Sequence, residues 1–462
     1  MNIEILKSFC GGSVKAIASK SQAHRMLICA ALADTGTIIK CGETSDDINA
    51  TAECLRSLGA VIKRNSEGFT VEPIKRPISG DNTFTQQCKE SGSTFRFMLP
   101  VCCALGVNAD FVLDGRLSQR PMAPLFDQLT AHGCEISKAD NTTITESNSS
   151  NPTNSCEGDV PFTPVGEHDT PIVKSSGNVK CSGKLDSGIY EIPGNVSSQF
   201  ISGLLLALSL LDGDSVLSVV GREESRPYIA MTLDALNMFG IEIKRFMTNN
   251  AMGATYGING SQRYSSPGKV SIEGDWSNAA FWLCAGAIGD SAVTCTGLNL
   301  GSTQGDMSIT RLLERFGADV AYDGNSVTVK PAKLHGIQID AIDTPDLVPA
   351  LSVVASVAEG VTVIHNAGRL KMKESNRLQA ITETLYDLGA DITESRASLL
   401  IRGKSALVGG MVSSFDDHRI AMMAAIASKV CDNPVMINNA EAVNKSYPGF
   451  FKDFEALGGR LG

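Results

Sequence analysis

The feature that most constrains this chain is a short signature that occurs six times: LRSLGAVI, LTAHGCEI, LNMFGIEI, LERFGADV, LYDLGADI and FEALGGRL. Each copy ends an amphipathic helical pattern at a glycine (Gly59, Gly133, Gly240, Gly317, Gly389 and Gly458) and runs on into alternating apolar and polar residues. A glycine just past a helix accepts the left-handed backbone that lets the chain turn back as a strand. Six copies mean one supersecondary unit built six times, each unable to bury its apolar face alone.

Upstream of every signature lies a second, more apolar helical pattern, such as SSQFISGLLLALSLL or SNAAFWLCAGAIG. A helix that is apolar all round is buried rather than laid on a surface. Short β-rich segments such as SVLSVVG and AVTCTGL separate the two helices. Each unit therefore reads strand, buried helix, strand, outer helix, strand, strand. The expected fold class is α/β (α+β), with helices inside, sheets around them, three units per domain and two domains. The signatures lie 74, 107, 77, 72 and 69 residues apart, so the second unit carries an insertion. The polar stretch 139–159 is its natural place, as a loop poor in apolar residues. The turn-rich stretch 259–275 suits a crossover between the two halves.

Composition narrows the function. With 462 residues, 43% of them hydrophobic and 19% charged, the chain is a globular protein large enough for more than one core. No run of eighteen apolar residues occurs and the first residues lack a signal-peptide layout, which predicts a cytoplasmic protein with no membrane partner. The thirteen cysteines form no Cys-x-x-Cys pair, and Cys29, Cys102 and Cys284 fall inside apolar helices, as reduced core residues would. The six histidines show no i, i+4 pair, so no metal is expected. A formal net charge of −10 repels nucleic acid, and an anionic ligand must be drawn by a local group of cations.

Such groups stand at the starts of the helices. SKSQAHR puts Lys20 in the first turn of a buried helix, behind a capping box expected of Ser19 and Gln22, with Arg25 one turn on. A cation there faces the positive end of the helix dipole, which is unfavourable unless an anion sits between. ESGSTFRFM repeats the arrangement with Gly92, Ser93 and Arg96, and DDHRIAMM with Arg419. GNVSSQF offers the neutral donors Ser197, Ser198 and Gln199, while Arg120, Ser225, Arg226, Tyr228 and Lys445 extend the set. KMKESNRLQA mixes signs, with Lys373 and Arg377 read as i, i+4 neighbours on one helix face beside Glu374. Asp346 is a carboxylate entering an apolar helix, and with Glu374 forms a candidate pair for proton transfer. Any one of these is ordinarily a cap with a solvated arginine, and His24 and His418 read as packing or hydrogen-bonding residues. Their convergence at related helix starts is what favours a common anion site. Clustered cations should also repel one another and favour an open cleft.

Nine motifs then fall in one order: KSQAHR, ESGSTFR, QRPM, VSSQF, SRPYI, TPDL, KESNR, DDHR and NKSYP. In these, over essentially its whole length, the chain resembles the 5-enolpyruvylshikimate-3-phosphate (EPSP) synthase family of enolpyruvyl transferases. The resemblance implies a two-domain inside-out α/β barrel of six βαβαββ repeats, with residues 1–19 joining 273–462 in one lobe and 20–272 forming the other. It also implies an activity: transfer of the enolpyruvyl group of phosphoenolpyruvate to the 5-hydroxyl of shikimate 3-phosphate by addition and elimination, by a monomer without a cofactor. Shikimate 3-phosphate would be held by Lys20, Ser21, Arg25, Ser197, Ser198, Gln199, Ser225, Tyr228, Asp346 and Lys373. Phosphoenolpyruvate would be held by Lys20, Gly92, Arg120, Gln199, Arg377, Arg419 and Lys445. Asp346 would take the hydroxyl proton, Glu374 would protonate C3 and later deprotonate it, and Lys20 and Lys373 would stabilise charge.

The chain departs from the pattern where many members have Asn-Ala-Gly-Thr and it has Glu90, Ser91, Gly92 and Ser93. It also carries Phe97 where proline is common, a bulky residue able to tilt the helix along the wall on which the family inhibitor glyphosate competes. Two other readings remain open at this point. UDP-N-acetylglucosamine enolpyruvyl transferases share the fold, but usually carry Lys-Asn where this chain has Lys20-Ser21, and a cysteine-bearing loop where LSQRPM has none. A non-catalytic protein binding a phosphorylated metabolite would use the same donors and leave Asp346 and Glu374 unexplained.

Overall fold

The structure, a computed structural model, describes residues 1–6, 11–78, 82–138, 177–247 and 253–462. The polar stretch expected as a loop at 139–159 lies outside the described residues.

Six pairs of helices follow one another, the first of each pair inner and the second outer: α1 (Lys20–Ala31) and α2 (Asp46–Ser57), α3 (Gly92–Leu105) and α4 (Ala123–Ala131), α5 (Ser198–Leu208) and α6 (Arg226–Met238), α7 (Trp276–Ile288) and α8 (Ile309–Phe316), α9 (Val348–Val357) and α10 (Arg377–Asp387), α11 (His418–Ala427) and α12 (Phe450–Ala456). The inner helices are buried nearly all round, as α7 is from Trp276 to Ala287, because their sequences offer no polar stripe to water. Behind each outer helix the signature glycine takes a positive φ, between 77° and 103° at all six positions, and turns the chain into its next strand. Among the described residues no helix is long and apolar enough to cross a membrane.

Each pair of helices packs on a four-stranded sheet, and the six sheets share one order, with the first and second strands of a unit parallel and the fourth inserted between the second and the third. Three sheets use only their own unit's strands. The other three exchange strands across long sequence distances. Gly12–Lys15 pairs in parallel with Val293–Thr296 and opens the fourth unit, whereas Lys269–Ser271 pairs in parallel with Thr37–Lys40 and opens the first. Ile3–Leu6 takes the fourth-strand place of the sixth unit, antiparallel to both Val435–Asn438 and Arg460–Leu461.

Two apolar cores result. One is made by residues from Ala18 to Val270; the other joins Ile3, Ile5 and Val14 to residues from Trp276 to Leu457. The chain passes between them twice, and the two passages are bonded side by side: Ser19 N–H to Glu273 C=O at 2.8 Å, Asp275 N–H to Ile17 C=O at 2.8 Å. Here the expected capping box is only half made. Ser19 Oγ accepts from Gln22 N–H, but the Gln22 side chain accepts from Glu273 N–H at 2.7 Å, because the second passage lies closer than its own helix start. Gly274 admits this approach, since a Cβ there would stand 2.4 Å from the Gly297 carbonyl oxygen.

The inner helices α3 and α5 cross at Gly203, where a Cβ would meet the Arg96 carbonyl oxygen at 2.2 Å. Overpacking at a crossing forces backbone to move. Gly203→Ala is therefore expected to lower unfolding stability by about 1–3 kcal/mol, read from the midpoint of urea denaturation.

Candidate active site

The starts of the inner helices α1, α3, α5 and α11 and of the outer helices α6 and α10 meet at one cavity between the two cores. From the first core it is lined by Lys20, Ser21 and Arg25 of α1, Gly92 at the start of α3, Arg120, the Ser197-Ser198-Gln199 start of α5, and Ser225 and Tyr228 at the start of α6. From the second come Asp346, Lys373, Glu374, Arg377 and Arg419. Of the anion donors and carboxylates singled out in the sequence, two do not line the cavity. Arg226 is turned outward, its Nη2 2.9 Å from Asp343, and Lys445 Nζ bonds Glu90 of the other half at 2.7 Å and the Asp416 carbonyl at 2.5 Å. The cavity holds about 980 Å³ including its mouth. Its lining has eight cationic side chains and three carboxylates, an excess of five positive charges in an acidic protein.

Local structure explains how each charge is held. Lys20 begins α1 with its N–H on Asp275 and its Nζ 2.7 Å from Asp47 of α2, so two carboxylates offset a cation at the wrong helix end. Arg377 begins α10 with 1% of its side chain exposed and makes four hydrogen bonds to three carboxylates: Asp346 at 2.8 Å, Glu374 at 2.5 Å, and Asp417 at 2.9 and 3.1 Å. Asp417 itself caps α11 by accepting from Arg419 N–H, positioned by two successive left-handed residues, Phe415 and Asp416. Lys373 and Arg377 are not helical i, i+4 neighbours as the spacing implied. A 3₁₀ turn at Gly368–Met372 precedes α10, leaving Lys373 in an extended conformation, and the two cations meet instead on Asp346 Oδ1. Arg419 also lies 3.6 Å from Asp346, and Arg120 reaches across from the other half to Glu374 at 3.2 Å. The repulsion expected among clustered cations is thus offset by the protein's own carboxylates.

Burial alone would raise the carboxyl of Asp346, but Arg419, Lys373 and Arg377 outweigh it and hold the group well below the usual range. Glu374 follows the same pattern: burial raises it, and Arg120 and Arg377 bring it well below. Both are carboxylates at neutral pH. Burial lowers the Lys373 ammonium, with Asp346 opposing, and pushes the Tyr228 hydroxyl well up, helped by Asp306 and Asp346. Arg96 is pushed down to about 9, first by burial and then by Arg120; it bonds Gln199 Oε1 at 2.5 Å while the Gln199 amide bonds Ser93. Gly92 keeps this wall open, because a Cβ would stand 2.8 Å from Arg120. α3 runs unbroken past Phe97, whose ring is buried with the Arg25 guanidinium 5.0 Å from its centroid.

Sequence reasoning missed several groups here. Asp47 reads as an ordinary acidic first-turn residue of an outer helix. Arg369 lies in a 3₁₀ turn with no helix-start signal, and His418 lines the cavity with neither ring nitrogen hydrogen-bonded among the described residues, although its pKa falls well below 6.5 through burial and Lys20. Asp306, in a turn before α8, accepts from Tyr228 and Ser277 and is almost wholly buried. Among the described residues no three His, Cys, Asp or Glu side chains are placed to hold a metal ion.

This architecture is that of the enolpyruvyl transferases. An EPSP synthase from Acinetobacter baumannii matches the chain with a TM-score of 0.74 at 22% identity, covering 100% of this chain and 99% of that one. The enolpyruvyl transferase NikO from Streptomyces tendae matches with a TM-score of 0.72 at 17% identity, covering 100% and 98%. The chain belongs to the EPSP synthase (3-phosphoshikimate 1-carboxyvinyltransferase) family, whose model matches residues 8–155 and 167–454. It is 39% identical over 458 residues to a 3-phosphoshikimate 1-carboxyvinyltransferase of Clostridium kluyveri, covering 97% of this chain and 96% of the relative. It is 40% identical over 450 residues to one of Clostridium acetobutylicum, with 97% and 95% covered.

Burial and the neighbouring Asp346 raise Asp306 to about 6. Its folded pKa exceeds the unfolded value of about 3.9, so its contribution to stability is full below pH 4 and is lost as pH rises through 6. Asp306→Asn removes that titration. Between pH 4.5 and 7.5 the variant is expected to gain on the wild type by about 2 kcal/mol, measured by urea unfolding at both values.

Proposed function

We propose that this cavity carries out the reaction of the family: shikimate 3-phosphate attacks C2 of phosphoenolpyruvate through its 5-hydroxyl, C3 gains a proton, and loss of phosphate and of a C3 proton then leaves the enolpyruvyl ether. The product precedes chorismate and the aromatic amino acids. The observation that carries this reading is the excess of five positive charges in the lining, which includes the carboxylates Asp346 and Glu374, at the meeting point of six helix N-termini. Two small, highly anionic substrates need such a field, and proton transfer needs the carboxylates inside it.

The residues divide as follows. Ser197, Ser198, Ser225, Tyr228, Arg25 and Ser21 hold shikimate 3-phosphate, while Lys20, Gly92, Gln199, Arg120, Arg377 and Arg419 surround phosphoenolpyruvate, joined by Lys445 when it leaves Glu90. Asp346, kept ionised, accepts the hydroxyl proton. Glu374 must be protonated to serve C3, and the incoming anions make this possible by drawing on Arg120 and Arg377, the cations that otherwise hold it ionised. Lys20 and Lys373 compensate the charge that develops. The halves 1–19 plus 273–462 and 20–272 act as lobes that close on the substrates and exclude water. One chain supplies the whole cavity, which suits a monomer working in the cytoplasm.

Purified protein given shikimate 3-phosphate and phosphoenolpyruvate is expected to release inorganic phosphate, and none with UDP-N-acetylglucosamine as acceptor. Release with the nucleotide sugar alone would overturn the reading. Glu374→Gln is expected to keep shikimate 3-phosphate binding and to lose about 10²–10⁴-fold in kcat; near-normal turnover would remove Glu374 from the chemistry.

A further inference from the structure

Tyr228 stands between two carboxylates with one hydrogen to give. Its hydroxyl lies 2.9 Å from Asp346 Oδ2 and 3.2 Å from Asp306 Oδ2. A phenol O–H donates only once, so with both carboxylates ionised one of these contacts sets lone pairs against lone pairs. Ser277 donates to the same Oδ2 of Asp306, and among the described residues the buried Oδ1 has no hydrogen-bond partner. The chain Asp346–Tyr228–Asp306 is therefore one proton short of being fully bonded. With one more, Asp306 donates to Tyr228 and Tyr228 donates to Asp346.

Ion pairing decides where that proton rests. Asp346 has Arg377 at 2.8 Å, Lys373 at 3.2 Å and Arg419 at 3.6 Å. Asp306, in the turn Gly305–Ser308 and only 2% exposed, has no ion pair among the described residues. The groups that face it are Asp346 from the turn before α9, Asp275 and Ser277 from the start of α7, Tyr228 from α6, and the Arg419 cation of α11, which acts on it without pairing. Buried beside Asp346, Asp306 takes up a proton near pH 6, whereas the cations on Asp346 keep that group well below the usual carboxylate range. Of the two ends of the chain, Asp306 is the one that can hold a proton.

On the reading that Asp346 takes the acceptor's hydroxyl proton, we propose that Asp306 is a positioning residue for that transfer, acting through Tyr228 as the resting place of the proton between addition and elimination. In addition, the hydroxyl O–H bond breaks as an O–H bond forms on Asp346. Asp346 then gives its proton to the Tyr228 oxygen, the phenol's own hydrogen passes to Asp306 Oδ2, and Asp346 is ionised again. In elimination the movement runs backwards, and the proton leaves with the phosphate as the bond from C2 to the phosphate oxygen breaks. Asp346 thus never has to keep a proton against three cations.

The test measures turnover of shikimate 3-phosphate and phosphoenolpyruvate from about pH 5 to about pH 9 in full-length wild type, Asp306→Asn and Ser277→Ala. The asparagine variant keeps the shape but cannot take the proton. It is expected to lose about 10–100-fold in kcat while both KM values change less than about threefold. It is also expected to lose the part of the fall in kcat/KM that the wild type shows below about pH 6 through Asp306. Ser277→Ala removes a bond that favours the ionised form of Asp306, so that fall is expected about one pH unit higher, with kcat at about pH 8 near the wild-type value. The phosphates of the substrates titrate alike in all three proteins, so differences between the profiles belong to the protein. Unchanged kcat in Asp306→Asn would overturn the proposal, as would a loss of kcat with the profile unmoved, which would leave Asp306 a brace for Tyr228. If Asp306→Asn does not fold, Ser277→Ala decides: a displaced profile supports the proposal, and an unmoved one overturns it. Wild-type turnover is measured first, and its absence would instead refute the underlying reading of the cavity.

Discussion

The interaction on which the rest depends is the guanidinium of Arg377 among Asp346, Glu374 and Asp417. It is the first cation on buried Asp417, and it adds to Arg419 and Lys373 on Asp346 and to Arg120 on Glu374, against a desolvation that would otherwise drive protons onto all three. Replacing a buried ion pair by apolar groups often costs nothing, but deleting one partner strands the other at roughly 3–5 kcal/mol. Arg377 therefore contributes less to net stability than to the ionisation state of the centre. It also ties three elements together: the turn before α9 through Asp346, the start of α10, and the cap of α11 through Asp417.

That local order contrasts with the protein's overall charge. A field summed over the whole surface is negative, yet the cavity is positive because cations are gathered at helix starts and carboxylates are kept few. Each carboxylate of the lining has a cation partner that an anionic ligand would compete for: Lys20 with Asp47, Lys373 with Asp346 and Arg120 with Glu374. Binding is then an exchange of partners rather than the capture of bare charges.

The six glycines and the apolar inner helices were legible in the sequence because both are local: a glycine past a helix and an unbroken apolar run each declare their backbone within a few residues. Most of the candidate site was legible for a related reason, since helix starts are local too and the anion donors stand at them. What spacing could not show is geometry set by turns. Lys373 and Arg377 were read as helical neighbours, and the 3₁₀ turn before α10 makes them partners of one carboxylate instead. The Gln22 side chain was read as serving its own helix, and a passage more than 250 residues away claims it. Arg369, Asp47 and Asp306 lie where no periodic pattern points inward, so only the packing of distant units brings the first two into the cavity and sets Asp306 behind it against Tyr228.

The strand exchange has a consequence for how the molecule comes to be. Ile3–Leu6 is synthesised long before its partners Val435–Asn438 and Arg460–Leu461, and Gly12–Lys15 long before Val293–Thr296. Meanwhile the first half can complete its opening sheet as soon as Lys269–Ser271 emerges. One half can thus mature during synthesis with two unpaired β-strands trailing from it, and the other, which carries Asp346 and Glu374, can close only around those waiting strands. The cavity, which takes its lining from both halves, is complete only once the second has closed.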